Sequence, residues 1–466
     1  MNGTIHSDTR HIVTTARHNF PLTVLLILTG LAALLALVLL HRVSASDARI
    51  LAIVLTCIVF WAGGSMSVLW VSLLFFFLAV TCTSLPRADI FSGFSSSAFW
   101  LVFSEAAIGS ALKDSGLSAR IGVVLARCAG RSYLKALFAF AVLSFLLSLL
   151  MPSTFGRIAI LVPIASGYCD AVRLGPDANG RRGILLLVIV ASYELASAIL
   201  PASLPNAIMA GIVEQLRGTP LGFADYLLKL FPAGVVARGA VLIAASYWLF
   251  PDRITRTPAA EEIEPIGRRG WHTLILLSLT LAAWFTDSIH DIAPGWIGLG
   301  FTLLYFMTSP PAMLERFASS VNVDLLSFIA AIIGITTILQ HLDMRPLAAL
   351  NLEALRGSPL LAYGVLSALS VMLTFAFTAN AAPAFYVPLV SHELARTAFL
   401  NAGLLAQVIG YGTVFLPYQA PPLLFGIRIS GLEAHTARRY CLITGLAGLL
   451  CVMPVNALWW RILGML

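Results

Sequence analysis

The sequence predicts an all-α polytopic membrane fold: an inverted repeat of about 11 transmembrane helices, two re-entrant hairpins and two broken helices. Three observations predict it. Charged residues make up 11% of the 466 and mean hydropathy is +0.90, whereas a soluble domain carries roughly one-quarter charged residues. Apolar runs of spanning length recur from Pro21 to Leu463. Proline-interrupted stretches then occur in matching order in the two halves of the chain.

The elements follow in order. Residues 1–20 are polar, carry Arg10 and Arg17, and read as a cytoplasmic tail. No cleavage-site pattern follows the first apolar run, which reads as a span and not a removed signal. N-terminal spans fill 21–96. A first repeat, 97–250, holds a hairpin at 136–169 and a broken helix at 183–211. A cytoplasmic loop, 251–270, leads to a second repeat, 271–463, with a hairpin at 359–391 and a broken helix at 401–426. The stretch from Arg120 to Lys135 reads as an amphipathic interfacial helix.

The first hairpin turns at Met151-Pro152-Ser153-Thr154-Phe155-Gly156-Arg157. Its apolar arms would each be only about 20 Å long as helix, short of a ~30 Å hydrocarbon core. Irregular backbone at membrane depth survives only where protein buries it or where it lines a wet cavity. An arginine at that depth marks a pathway or a binding site.

Lys and Arg set the orientation. With a cytoplasmic N-terminus and both hairpins returning to their own side, most basic clusters fall inside, including Arg173, Arg181 and Arg182, and Arg428, Arg438 and Arg439. The +7 net charge follows from this flanking, so it implies a lipid bilayer as partner and no nucleic acid. The six cysteines show no pairing or metal-ligand spacing. No metal cluster, nucleophile elbow or phosphate loop occurs, so a membrane-embedded enzyme is a remote alternative.

The repeat is visible as Gly109 on Gly334, Leu117 on Leu342, Arg120 on Arg345, Arg131 on Arg356 and Pro163 on Pro388. Leu200-Pro201-Ala202-Ser203-Leu204-Pro205 likewise matches Leu416-Pro417-Tyr418-Gln419-Ala420-Pro421. An odd number of spans separates the copies, which inverts one against the other. Inverted repeats with broken segments at matching positions point to a secondary transporter with a site at mid-membrane. Each break frees N–H groups that attract anions and carbonyls that attract cations.

These motifs resemble the divalent anion/sodium symporter family of dicarboxylate, citrate and sulfate transporters, within the larger ion-transporter superfamily. That family carries a Ser-Asn-Thr motif at each hairpin tip, often within P-S-N-T-A-R. Here Pro152-Ser153-Thr154-Phe155-Gly156-Arg157 keeps the proline, serine and arginine. Pro163 and Pro205-Asn206-Ala207-Ile208 match two further family elements, and Phe223 to Pro232, with Tyr226, matches an aromatic one.

The resemblance implies secondary active transport of a di- or tricarboxylate or sulfate by alternating access, in a homodimer of the cell (inner) membrane. It implies substrate contacts at Ser153, Thr154, Arg157, Asn206, Thr378, Asn380 and Gln419. It implies a coupling-cation role for Ser153, Ser203, Asn380 and Ala420, with sodium or protons as the ion and no other cofactor. Glu194, a carboxylate inside an apolar run, reads separately as either a salt-bridge partner or a proton-coupling group. Thr154 and Phe155 depart from the family's Asn and Thr, and only Asn380 remains at the second tip. Depleted tips predict weak sodium dependence, with Glu194 as proton carrier or with anion exchange.

Structural readings stand beside these. Ser153 and Thr154 satisfy backbone freed by Pro152, Arg157 pairs with Glu194 or Glu105, and Asn206, Asn380 and Gln419 cap helix breaks. A cation/proton antiporter or oxyanion exporter of the same superfamily is the alternative within transport. The charge pattern makes a topology prediction. Single cysteines at 173 and 428 will react with an impermeant thiol reagent only from the cytoplasmic side, and one at 217 only from the other. Labelling of position 173 from outside would overturn the re-entrant arrangement.

Overall fold

The computed structural model describes residues 27–32, 35–36, 38–39, 44–63, 66–117, 120, 132–151, 153–254, 265–339, 341–342, 358–394, 397 and 399–466. The expected tail 1–20, residues 121–131 of the expected interfacial helix, Pro152, Arg345, Arg356 and residues 255–264 of the expected loop lie outside them. Among the described residues every regular element is a helix. They fall into two compact units.

The first unit comprises described residues of Met1–Phe99, Glu214–Gly218 and Asn322–Asn351. Helices Ala45–Gly63, Val68–Cys82 and Val323–Leu339 pack through Cys57, Val71, Phe75, Ala79, Ile90, Ala330 and Ile335. Asp324 accepts the Leu69 N–H at 3.1 Å, and Glu214 accepts that of Ser97 at 3.1 Å.

The second unit comprises described residues of Trp100–Val213, Thr219–Val321 and Leu352–Leu466. Its first hairpin joins Tyr133–Leu150 to Thr154–Ala171. Both arms have 18 residues, about 27 Å at 1.5 Å per residue, which corrects the shorter arms expected. The first arm starts three residues earlier than 136, where Ser132 Oγ accepts the Lys135 N–H at 3.3 Å. That arm alone is long and apolar enough to cross a membrane, as are Phe223–Leu249 and Ala434–Ile462.

The second hairpin occupies Pro359–Leu394 and turns at Thr378, whose φ of 71° and ψ of 161° interrupt the helix. One glycine demonstrates the reversal. A Cβ at Gly403 would meet Leu394, Val390 and Leu366 together. Residues 366 and 390 would lie about 36 Å apart in one continuous helix, so the chain folds back between them.

Each hairpin is followed by a broken helix. Asn179–Glu194 and Leu204–Arg217 flank the first break, made of short 3₁₀ turns at Leu195–Ala198 and Leu200–Ala202. Leu400–Tyr411 and Pro421–Ser430 flank the second, with one 3₁₀ turn at Pro417–Gln419. The prolines explain both interruptions, since each lacks the N–H that would bond the carbonyl four residues back.

The helix Phe223–Leu230 passes through a π-helical segment, Phe231–Ala237, into Arg238–Leu249. Pro232 cannot bond the Leu228 carbonyl, and the wider π turn follows. Two indoles of Ala434–Ile462 satisfy the freed carbonyls. Trp459 Nε1 donates to Leu228 O and Trp460 Nε1 to Lys229 O, each at 2.9 Å.

Candidate functional site

The first hairpin tip, both breaks and the arms of the second hairpin meet in the second unit, and side chains join them by taking up stranded backbone groups. Arg157 lies one turn into Thr154–Ala171 and is 0% exposed. Its Nε donates to Ser192 O at 3.2 Å, and its terminal nitrogens donate to Met151 O, Ser192 O at 2.8 Å, Ala202 O at 2.8 Å and Thr154 Oγ1 at 2.9 Å. Met151 ends the first arm, Ser192 lies in the last turn before the first break, and Ala202 lies inside it. One guanidinium thus ties the tip to the break.

Gln419 has the corresponding role in the second repeat. Its Oε1 accepts the Phe415 and Leu416 N–H groups, both at 2.8 Å, and its Nε2 donates to Thr374 Oγ1 at 3.1 Å. Thr374 belongs to the second hairpin's first arm, so this amide ties break to hairpin. Tyr418 adds a bond from its hydroxyl to Phe375 O at 3.3 Å.

The two breaks are tied to each other by residues of both repeats. Glu194 Oε1 accepts the Val414 N–H at 2.9 Å, while Oε2 stands 3.4 Å from Arg238 Nη1. Arg238 also donates to Gly412 O and, at 3.0 Å, to Thr413 Oγ1. Tyr193 hydroxyl donates to Tyr411 O at 3.0 Å. Gly412 permits the approach, since a Cβ there would stand 2.6 Å from Ser197 Oγ.

Asn206 caps the first break internally, its Nδ2 donating to Ser197 O at 3.1 Å and Ile199 O at 2.8 Å. Tyr226, the aromatic residue of the Phe223–Pro232 element, donates to the same Ser197 O at 2.8 Å. This carbonyl is one that Pro201 leaves without a helical partner.

One pairing expected from the sequence is corrected. The Arg157–Glu194 pair is not formed, because Arg238 holds Glu194. Arg157 and Asn206 give donors to backbone carbonyls, Arg157 also to Thr154 Oγ1, while Gln419 accepts two backbone N–H groups and donates to Thr374 Oγ1. Ala420 is fully buried. Arg238 went unassigned from the sequence, although an arginine inside the apolar run 226–250 carries the same signal as Glu194 inside 183–211.

Ser153, Thr378 and Asn380 are partly exposed, while Thr154 is buried against Arg157. Ser153 caps Thr154–Ala171, with Oγ accepting the Gly156 N–H at 3.2 Å. By helix geometry the Thr154 and Phe155 N–H groups have no acceptor within the helix. Ser203 Oγ and Asn206 Oδ1 are buried without a hydrogen-bond partner among the described residues.

Hairpins paired with helix breaks in two successive repeats are the architecture of a secondary membrane transporter, not of an enzyme. The chain belongs to the family described as the sodium:sulfate symporter transmembrane region, whose model matches residues 18–466. It is 28% identical over 265 residues to a citrate/succinate antiporter of Escherichia coli K12, covering 53% of each chain. It is 27% identical over 189 residues to an L-tartrate/succinate antiporter of Shigella dysenteriae, covering 38% of each. The chain thus spans about half the length, or less, of these curated relatives. Its fold is similar to that of the Alcanivorax borkumensis YdaH transporter, with a TM-score of 0.53 and 16% identity over 80% of this chain and 87% of that one.

Two predictions follow from the ties. Arg157→Lys lowers the melting temperature of the ligand-free protein, because three donors replace five and each bare buried carbonyl costs about 1–3 kcal/mol. An unchanged melting temperature would show that the guanidinium is not holding the tip to the break. Arg238→Met leaves Glu194 an unpaired buried carboxylate and costs about 3–5 kcal/mol. The double change with Glu194→Gln recovers most of that loss, because the amide oxygen still accepts the Val414 N–H. Thermal unfolding of the single and double variants measures the recovery.

Proposed function

We propose that the chain exchanges di- or tricarboxylates across the cell's inner membrane, as a homodimer, by alternating access around the first tip and the two breaks. The observation carrying this reading is the N-terminus of Thr154–Ala171. It is capped by Ser153 and partly exposed at Phe155 and Gly156. A helix N-terminus of this kind supplies oriented N–H donors and a favourable dipole for an anion. Arg157 fixes the terminus in place, and the partly exposed Asn380 and Thr378 are the candidates from the second tip.

The relatives named above as antiporters support exchange, as does the depletion of the family's tip residues, Asn and Thr at the first tip and all but Asn380 at the second. Sodium-coupled uptake is the second reading, and the orphaned oxygens of Ser203 and Asn206 favour it. Both are hard donors suited to a small cation.

Uptake of labelled succinate, citrate, tartrate and sulfate into proteoliposomes separates the readings. Exchange predicts uptake into succinate-loaded vesicles, little into empty ones, and indifference to a sodium gradient. Strong sodium-driven uptake into empty vesicles would favour the second reading. Ser153→Ala, which removes the cap, weakens half-saturation by about threefold to tenfold, in line with roughly 1 kcal/mol for an N-cap.

A further inference from the structure

Helix Ser97–Asp114 carries a carboxylate that none of the ties above uses. Glu105 is 7% exposed, and its Oε1 is buried with no hydrogen-bond partner among the described residues. One turn further along, Gly109 packs beside the first tip, where a Cβ would stand 3.4 Å from Met151 Cε. The carbonyl of that methionine is one of those held by Arg157. Gly298 lets Pro294–Met307 close on the neighbouring Ser104, where a Cβ would stand 2.9 Å from that serine's own Cβ.

Among the described side chains, the charged and titratable groups on elements packed against this helix include Arg157, Tyr305, Glu315, Arg268, Arg269 and His272, with Tyr168, Cys169 and Asp170 at the far end of Thr154–Ala171. Arg157 is the one whose charge acts on Glu105. Tyr305 interacts instead with Asp114 and Arg269. Glu194, the proton carrier expected from the sequence, has both oxygens engaged, one by the Val414 N–H and one facing Arg238.

We propose that Glu105 is the proton-carrying group of the transporter, binding a proton from water as a dianion loads at the first tip and releasing it when the anion leaves. This rests on the reading of that tip as the anion site. A dianion at the Ser153-capped terminus adds negative charge near a carboxylate whose buried Oε1 has no hydrogen-bond partner among the described residues. Protonation removes the repulsion, so proton and anion each favour the other's binding by the same factor. No covalent bond to the anion is made or broken; the proton moves between water and the Glu105 carboxylate.

The test uses the purified full-length chain in weakly buffered detergent with a pH indicator, titrated with succinate over about pH 7–9, above the carboxyl range. Wild type takes up protons as it binds. Its affinity strengthens as pH falls, by at most about tenfold per unit for one linked proton. Glu105→Gln, equal in shape, binds with a flat pH profile and no proton uptake, while Glu105→Asp keeps both. Proton uptake persisting in Glu105→Gln overturns the assignment, as does succinate binding to wild type without uptake. If no anion stabilises wild type against thermal unfolding, the anion site itself fails, and the proton role falls with it.

Discussion

A helix interrupted inside a membrane strands backbone groups that water cannot reach, each costing several kcal/mol if left bare. This constraint organises the second unit. Carbonyls at the helix ends are met by Arg157, Arg238, Asn206 and two tyrosine hydroxyls, while N–H groups in the second break are met by Glu194 and Gln419. The polarity is the one helix termini require, with cations at C-terminal ends and acceptors at free N–H groups. The same bonds hold separate elements together, so satisfying the backbone and assembling the site are one event.

The two repeats solve the same problem with different chemistry. Arg157 ties tip to break in the first with a charged fork, and Gln419 ties hairpin to break in the second with a neutral amide. A guanidinium is therefore built into the first tip, where the helix N-terminus also lies. The Glu194–Arg238 pair joins the breaks. Its arginine is presented from the turn immediately after a π-helical segment, so Pro232 and the two indoles that cap its freed carbonyls help place a residue in the core.

Much of the fold was legible because the composition of a membrane chain is so constrained. Apolar runs, prolines and one out-of-place arginine were enough to locate Ser153–Arg157, the paired breaks and Glu194 as special. For Asn206 and Gln419 the sequence left cap and ligand open, and the structure places both in hydrogen bonds to the backbone of the breaks. Arm lengths were less legible: Ser132 starts the first arm earlier than apolar content suggests, because a cap depends on one hydroxyl and not on hydropathy.

Partner choice was decided only in three dimensions. Arg157 and Glu194 lie in adjacent broken elements, and sequence proximity made them a plausible pair. Packing instead brings Glu194 to the second break and to Arg238, and gives Arg157 to carbonyls of the first. The sequence alone determined that charged groups lie within apolar runs, since residue type and hydropathy are local properties. Which opposite charge or carbonyl each one meets was decided by the tertiary structure, because ties such as Glu194 to Val414 join segments far apart in the chain and depend on close approaches such as Gly412 against Ser197.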